Sequence, residues 1–340
     1  MRKTYKNKTK NKNKTKTKSK TKTKTKNKNK TTINSYKINK TIRRQVNINN
    51  KNNKKIITGG SLIGQGNFGC VFRPELTAPH NSISNGNTVS KVVLKNNAFS
   101  EYRHEYKILK KMRDIDPKGS FHSLLIDAFE LENKHVPADF TRCSLTKPTY
   151  TVDEFFVFNI AFVGNHDLTY YLKNVFSSNK SDKTIPEPAV LFSVLTNIIV
   201  GIKKMIGANI LHKTLDTDSV FLKDPISLDN PFCAKVLDYG DGELRKYKGY
   251  NDKNQDYIHF FKSIITVLSS ILGGQQTQPR QNNQANIKII SDLIQGFKTL
   301  LAMVEKNNVS YNEVVKNYIM LLEKTFGKKY SYYAKRHYKL

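Results

Sequence analysis

Glycines spaced two and three residues apart mark the first segment that could do chemistry. Residues 63–72 are Ile-Gly-Gln-Gly-Asn-Phe-Gly-Cys-Val-Phe and match the pattern GxGxxGxV. Glycine lets a backbone approach phosphate oxygens closely and offer them its N–H groups. The residues after the last glycine are β-formers followed by Pro74, whereas a dinucleotide-binding turn requires a helix there. The pattern predicts a strand–loop–strand hairpin that binds phosphate, with an ordinary glycine-rich hairpin as the alternative.

Three further segments occur with this loop: Val-Ser-Lys-Val-Val at 89–93, Glu-Tyr-Lys-Ile-Leu at 105–109 and Lys-Val-Leu-Asp-Tyr-Gly at 235–240. Together the four resemble the motifs of eukaryotic-type Ser/Thr protein kinases. The resemblance covers about residues 59–270 and implies that the protein binds ATP and Mg²⁺. It also implies that the hairpin binds the nucleotide, with Phe68 at the tip and Val71 beneath the adenine. The implied nucleotide-binding residues of the hairpin are Gly64, Gly66, Phe68, Gly69 and Val71.

The resemblance makes Lys91 the lysine that binds the α- and β-phosphates. In a strand, Val89, Lys91 and Val93 share one face, so the amine would project from an apolar floor into the cleft. Lys95 lies on the same face and is the rival candidate. A lysine exposed on the surface is the remaining alternative.

Two carboxylates complete the implied site. Glu105 resembles the helix glutamate that pairs with the lysine, and Glu101, one turn earlier, is its alternative. Asp238 resembles the aspartate of the DFG motif, with Tyr239 in place of phenylalanine. A carboxylate at the end of an apolar strand is well placed to bind Mg²⁺ that bridges the phosphates.

A narrower resemblance rests on two other segments. Residues 110–121, which include Ile115-Asp116-Pro117, and residues 143–145 (Cys-Ser-Leu) are similar to the protein-kinase-like proteins of giant DNA viruses. The Lys/Asn/Ile-rich composition fits such a source.

The catalytic loop departs from the kinase pattern HRDLxxxN. Aligned on His212 and Leu215, the loop has Thr214 at the position of the base and Ser219 at that of the metal-binding asparagine. Threonine cannot act as a base near neutral pH, and serine is a weak metal ligand. Loss of a positioned base typically costs about 10²–10⁴ in rate. Asp216 is a candidate substitute base and Asp218 a further metal candidate, unless both cap local turns.

Two functions follow from this mixture of retained and lost motifs. One is a protein kinase with weak activity that transfers phosphate from ATP to Ser/Thr of proteins. The alternative is a pseudokinase that binds nucleotide and acts as a scaffold or allosteric partner. The segment from Asp238 to Asp256 has no APE-like anchor and no Ser or Thr, which excludes activation by Ser/Thr phosphorylation there, although Tyr247 and Tyr250 remain. The shelf that binds a peptide substrate is therefore predicted to be short.

The order of the predicted strands and helices, together with the resemblance, predicts an α+β, bilobal protein-kinase fold. Residues 56–163 are β-rich and form the predicted small lobe, and residues 164–340 are mostly helical and form the large lobe. Asp167 is expected to cap the helix that follows the segment resembling a kinase hinge, residues 164–168. The helices of the second half are predicted at 191–205, 257–272, 290–304 and 314–326, with a polar surface loop at 273–286.

The net charge of +31 belongs mainly to a tail. Residues 1–55 contain 19 Lys, 3 Arg and no acidic residue, and are predicted to be disordered because nothing apolar is available to bury. Such a tail could bind nucleic acid or another acidic surface, could target the nucleus, or could serve solubility alone.

The three cysteines lie far apart and form no CxxC pair. The sequence therefore predicts neither a disulfide nor a zinc site, and favours a reducing compartment. No uninterrupted apolar run reaches the roughly 18 residues needed to cross a bilayer. We expect a soluble intracellular protein without a membrane span, located in the host cytoplasm or the virion if viral, or in the nucleus through its tail.

Overall fold

A five-stranded antiparallel sheet occupies the first half of the described chain, with strand order β1-β2-β3-β5-β4. The computed structural model describes residues 60–66, 69–76, 87–95, 102–133, 136–137, 139–146, 150–176, 184–244, 254–276, 284–306 and 309–338. The central strand β3 lies between β2 and β5, and all of its residues are buried. The strands are β1 (Ser61–Gly66), β2 (Gly69–Arg73), β3 (Thr88–Leu94), β4 (Leu125–Glu130) and β5 (Phe155–Ala161).

The sheet has two apolar faces, and each belongs to a separate core. On the first face, Val93, Phe156 and Phe158 join the main core, which includes the helix α1 (Tyr102–Ile115) and the helical half of the chain. On the second face, side chains from three strands pack beneath residues that connect β4 to β5. This outer-face cluster consists of Cys70, Phe72, Leu76, Val92, Leu94, Leu131, Phe140, Cys143, Phe155 and Val157. Successive side chains along these strands alternate between the two cores, as expected for strands that are covered on both faces of the sheet.

The second half is mostly helical. Two short strand pairs, β6 (Ile210–Leu211) with β9 (Glu243–Leu244) and β7 (Val220–Leu222) with β8 (Ala234–Val236), flank the loop at 212–219. The remaining helices are α2 (Leu168–Val175), α3 (Pro188–Val194), α4 (Thr196–Gly207), α5 (Gln255–Gln276), α6 (Gln284–Glu305), α7 (Tyr311–Phe326) and α8 (Lys328–Tyr338).

The predicted α+β class is confirmed, with differences at element boundaries. The helix predicted at 191–205 consists of α3 and α4, which meet at Leu195. The predicted polar loop at 273–286 is too long, because α5 continues to Gln276 and α6 begins at Gln284. Helix α8 was not predicted, since its sequence is basic and aromatic and only Ser331 and Ala334 are buried.

The described residues belong to one compact unit, Lys55–Leu340. The division of this unit into two kinase lobes stays a prediction. The basic tail predicted at 1–55 lies outside the described residues, as do Phe68, Glu101, Tyr247 and Tyr250.

Two helical stretches, Pro188–Gly207 and Gln255–Gln275, are long and apolar enough to cross a membrane. Length and composition alone are weak evidence, and 78% of the first window is buried inside the protein. The second stretch contributes Tyr257, Phe260 and Phe261 to the main core. The first stretch is therefore a core helix, whereas only 28% of the second window is buried and one side of that helix packs on the core.

The prediction that the cysteines form no disulfide is wrong. Cys70 and Cys143 are joined by a disulfide, with their Cα atoms 5.8 Å apart, while Cys233 is free and buried. The two cysteines are 73 positions apart in sequence, and they meet because residues 139–146 cross the sheet face toward which Cys70 points. The cysteine pattern therefore no longer favours a reducing compartment.

Candidate functional site

Lys91 lies at the centre of a partly buried ionic cluster. Its Nζ is 2.7 Å from Oε1 of Glu105 and 2.8 Å from Oδ1 of Asp238. Three separate elements supply these groups: β3, α1 and the segment that follows β8. The structure brings together the three charged residues that the sequence singled out, although Glu105 and Asp238 are 14 and 147 positions from Lys91 along the chain.

The rival lysine has a different partner. Nζ of Lys95 lies 2.8 Å from Oε2 of Glu130 on β4, the strand beyond β5 in the sheet. Lys95 thus pairs with one carboxylate that is 65% exposed, whereas Lys91 contacts two carboxylates, of which Glu105 is 3% exposed. Of the two, Lys91 is the residue placed to act in the cluster.

Strand pairing and helix packing determine this geometry. Lys91 lies opposite Val71 of β2 and Phe158 of β5, so all three side chains share the first face of the sheet. Helix α1 packs against that face through Tyr106, whose ring contacts those of Phe156 and Phe158. This packing carries Glu105 inward from the first turn of the helix, where it is 2% exposed.

The electrostatics keep Lys91 and Asp238 charged. Burial by itself lowers the pKa of Lys91, but the adjacent carboxylates of Asp238 and Glu105 offset this effect and raise it well above its usual range. The charge of Lys91 lowers the pKa of Asp238, which is therefore ionised at neutral pH. Burial raises the pKa of Glu105 despite its contact with Lys91, and its Oε2 is buried without a hydrogen-bond partner in the described part of the protein.

The glycine-rich segment forms the predicted strand–loop–strand hairpin. Gly66 at the end of β1 pairs with Gly69 at the start of β2 across the tip. A Cβ on Gly69 would lie 2.8 Å from the carbonyl oxygen of Val92, so a side chain there would force the strands apart. Gly64 lies at an irregularity in the β1–β2 register. Val71 shares the sheet face of Lys91, so its side chain lies on the same side of the sheet as the ionic cluster.

The segment from 164 to 168 joins β5 to helix α2 in close contact with β7. A Cβ on Gly164 would lie 2.1 Å from the carbonyl oxygen of Leu222. The predicted cap is confirmed: the Asp167 carboxylate accepts a 2.8 Å hydrogen bond from the backbone N–H of Tyr170.

Asp256, at the start of α5, holds the loop that contains the catalytic candidates. Its buried carboxylate accepts hydrogen bonds from the backbone N–H groups of His212, at 3.0 and 3.1 Å, and of Lys213, at 3.0 Å. Nε2 of His212 lies 2.9 Å from the carbonyl oxygen of Leu237, one residue before Asp238. His212 is fully buried and thus positions the loop beside Asp238. The sequence placed Asp256 at a helix start but did not indicate this role.

Asp216 is engaged in a local turn. Its Oδ1 accepts from the backbone N–H groups of Asp218 at 3.1 Å and Ser219 at 3.0 Å, and lies 3.0 Å from Oγ of Ser219. The same Ser219 hydroxyl lies 3.2 Å from the carbonyl oxygen of Thr214. These contacts are those expected of a turn cap.

Mg²⁺ fits the donor set at Asp238 better than at Ser219. The Asp238 side chain is 50% exposed and ionised, and a hard carboxylate oxygen is a ligand that Mg²⁺ prefers. Ser219 shares its hydroxyl with Asp216 and Thr214. Within the described residues no three His, Cys, Asp or Glu side chains cluster as a metal site. Mg²⁺ usually takes one or two carboxylates together with phosphate oxygens, so Asp238 suits this mode of binding.

An open pocket of about 420 Å³ adjoins Asp216. Thr169 closes one side, where its Oγ1 lies 2.5 Å from Oδ1 of Asp218 and 2.6 Å from Oγ1 of Thr217. The pocket is lined by Thr169, Asp216, Thr217, Asp218, Ile258, His259, Lys262, Ser263, Thr266 and Val267. Its polar residues come from α2, the loop and α5, a grouping that no sequence pattern indicated.

Neither the known protein-family models nor the curated proteins contain a match to this chain. The function is therefore inferred from the site itself.

Proposed function

We propose that this chain binds ATP with Mg²⁺ in a protein-kinase-like cleft between the glycine-rich hairpin and the loop at 212–219. The observation that carries the proposal is the Nζ of Lys91, which lies 2.7 Å from Glu105 and 2.8 Å from Asp238. A cation held by two carboxylates in a largely buried position suits a phosphate-binding role, because the ion pair with Glu105 keeps the amine in place.

Each group has a distinct task in this proposal. The amine of Lys91 binds the α- and β-phosphate oxygens, and the backbone N–H groups of the hairpin donate hydrogen bonds to the phosphates. Asp238 would hold Mg²⁺, which neutralises phosphate charge when bound. Glu105 orients Lys91, and Asp256 with His212 keeps the loop at 212–219 beside Asp238.

A second candidate, a pseudokinase that binds nucleotide without efficient transfer, is supported by the environment of Asp216. Its Oδ1 is occupied by two backbone N–H groups and the Ser219 hydroxyl, so the carboxylate acts as a turn cap. Thr214 offers no base at neutral pH. Such a protein would act through its nucleotide-dependent conformation as a scaffold or allosteric partner.

Nucleotide binding is tested by comparing Lys91→Met with Lys95→Met, a matched lysine that directly follows the same strand. ATP with Mg²⁺ should raise the melting temperature of the wild-type protein and of Lys95→Met, by the equivalent of about 2.7 kcal/mol at a ligand concentration 100 times Kd. Lys91→Met should lose most of this shift because the phosphate-binding cation is gone. A shift in Lys91→Met equal to that of the wild type, or no shift in the wild type, would refute the proposal.

Phosphoryl transfer is tested separately with radiolabelled ATP and a mixed Ser/Thr protein substrate. If the protein is a pseudokinase, wild-type transfer should be no faster than that of Lys91→Met. If Asp216 replaces the missing base, Asp216→Asn should lose about 10²–10⁴ in rate while Asp229→Asn, an exposed aspartate outside the loop, keeps its activity. Equal activity of Asp216→Asn and the wild type would exclude Asp216 as the base.

A further inference from the structure

Residues 139–146 cross the outer face of the sheet directly behind the glycine-rich hairpin. We call them the crossing segment; they belong to the connection between β4 and β5. Phe140 packs into the outer-face cluster, with its ring centroid 6.4 Å from that of Phe72 on β2 and 5.0 Å from that of Phe155 on β5. The segment is thus anchored to the sheet beside the hairpin.

Two bonds join the crossing segment to the hairpin itself. The disulfide links Cys143 to Cys70, which follows Gly69 at the hairpin tip. On the other strand, Oε1 of Gln65 accepts a 3.0 Å hydrogen bond from the backbone N–H of Ser144. Gln65 lies between Gly64 and Gly66, so both strands are tied to one short segment within one residue of a motif glycine.

The position of these bonds indicates a role beyond general stabilisation of the fold. Cys70 points to the outer face while its neighbour Val71 shares the face of Lys91, so the disulfide acts on the back of the strand that faces the ionic cluster. Cys70 is fully buried and Cys143 is 2% exposed. A reagent therefore reaches the bond only when the hairpin or the crossing segment opens.

We propose that Cys70, Cys143 and Gln65 are positioning residues for the glycine-rich hairpin, and that nucleotide affinity consequently depends on the redox state of the disulfide. The inference rests on the nucleotide-binding proposal above. With the bond closed, the hairpin is held near its binding conformation and loses little conformational entropy when nucleotide binds. With the bond open, the hairpin samples more conformations and must be ordered by the nucleotide.

The redox step is a dithiol–disulfide exchange. A dithiol such as dithiothreitol supplies two electrons and two protons; the S–S bond between Cys70 and Cys143 breaks into two thiols, and the reagent closes to a cyclic disulfide. Cys233 takes no part, because burial raises the pKa of its thiol to about 12 and leaves no reactive thiolate at neutral pH.

Thermodynamic linkage gives the proposal a readout that a purely structural disulfide would not produce. If opening the bond weakens nucleotide binding, then bound nucleotide must make the bond harder to reduce by the same factor. A disulfide that only stabilised the fold would change the melting temperature without this reciprocal effect on affinity.

The test measures Kd for ATP with Mg²⁺ on the full chain, in the oxidised state and after dithiol reduction verified by mass spectrometry. We expect reduction to weaken binding about five- to tenfold, the size expected for ordering additional backbone. Cys143→Ala should show the weaker Kd in both conditions, and Cys233→Ser should respond as the wild type does. ATP should shift the reduction equilibrium of the disulfide by the same factor.

Equal Kd in both redox states, or the absence of the disulfide from oxidised protein, would overturn the inference. If ATP binds in neither state, the nucleotide proposal fails, and amide hydrogen exchange at 69–73 decides the positioning role. Faster exchange after reduction would support that role, whereas unchanged exchange would overturn it. Should Cys143→Ala fail to fold, Gln65→Ala replaces it, with an expected two- to threefold weaker Kd.

Discussion

At the residue scale, the environment of each lysine decides what its charge can do. Lys91, Lys95 and Lys235 all lie on strands or strand ends of this domain. Lys91 has two carboxylate partners, which keep it charged, and Lys95 pairs with Glu130 near the surface. Lys235 instead lies in a partly buried site, where its Nζ donates to the carbonyl oxygens of Gly119 and Ser120. Burial lowers the pKa of Lys235 to about 8.

The lowered pKa of Lys235 predicts a pH dependence of stability. Its folded pKa lies below its unfolded value, so the unfolded chain binds more protons between about pH 8 and pH 10.5. The contribution of Lys235 to the free energy of unfolding therefore rises with pH across this window. We expect Lys235→Met to lose about 1–2 kcal/mol of this rise between pH 7.5 and pH 9.5 in urea unfolding. Lys298→Met, at an exposed position elsewhere on the domain, should follow the wild type; the same result for Lys235→Met would contradict the prediction.

At the element scale, the start of helix α5 organises the loop that carries the catalytic candidates. The Asp256 carboxylate is buried, and burial raises its pKa even though it accepts backbone N–H groups of His212 and Lys213. His212 directly follows strand β6, and Asp238 lies two residues after strand β8. The loop thus depends on a helix that begins more than forty residues later in the sequence.

Removal of this carboxylate should destabilise the loop more than the loss of an exposed acid. Asp256→Ala leaves the buried backbone N–H of His212 and the part-buried N–H of Lys213 without this partner, which should lower the free energy of unfolding by about 2–4 kcal/mol. Asp229→Ala, at an exposed position, should change stability by less than about 0.5 kcal/mol. Urea unfolding measures both, and equal effects of the two substitutions would refute the role assigned to Asp256.

At the scale of the whole molecule, charge is distributed unevenly. Of the net charge of +31, residues 1–55 carry 19 Lys and 3 Arg without an acid. Lysine at this density can neutralise many nucleic-acid phosphates and release their counterions. The tail contains no aromatic residue from position 6 to 35, so base stacking would contribute little to such binding.

We therefore propose that residues 1–55 give the protein salt-sensitive, sequence-independent binding to RNA or DNA. The full chain should bind single-stranded oligonucleotides with an affinity that falls steeply with salt, by a slope of about −0.7 per phosphate contacted. Deletion of residues 1–55 should remove this binding and leave the ATP-induced thermal shift unchanged. Retention of the salt-sensitive binding by the deletion variant would locate it outside the tail.

The sequence by itself determined those features that depend on local pattern. Glycine spacing predicted the hairpin, and Asp167 was predicted to cap α2. Lys91, Glu105 and Asp238 were selected because each occurs in a motif with its own residue order. Their convergence on one cluster agrees with that selection.

Only the tertiary structure decided which distant groups meet. The disulfide between Cys70 and Cys143 forms because a chain segment crosses a sheet face, and this crossing cannot be predicted from the spacing of the cysteines. Asp216 had two interpretations in the sequence, and the backbone N–H groups around it favour the turn cap. Asp256 holds the loop at 212–219 because the start of helix α5 packs against that loop. Packing brings such groups together through the free energy of the whole core, to which each local pattern contributes only a part.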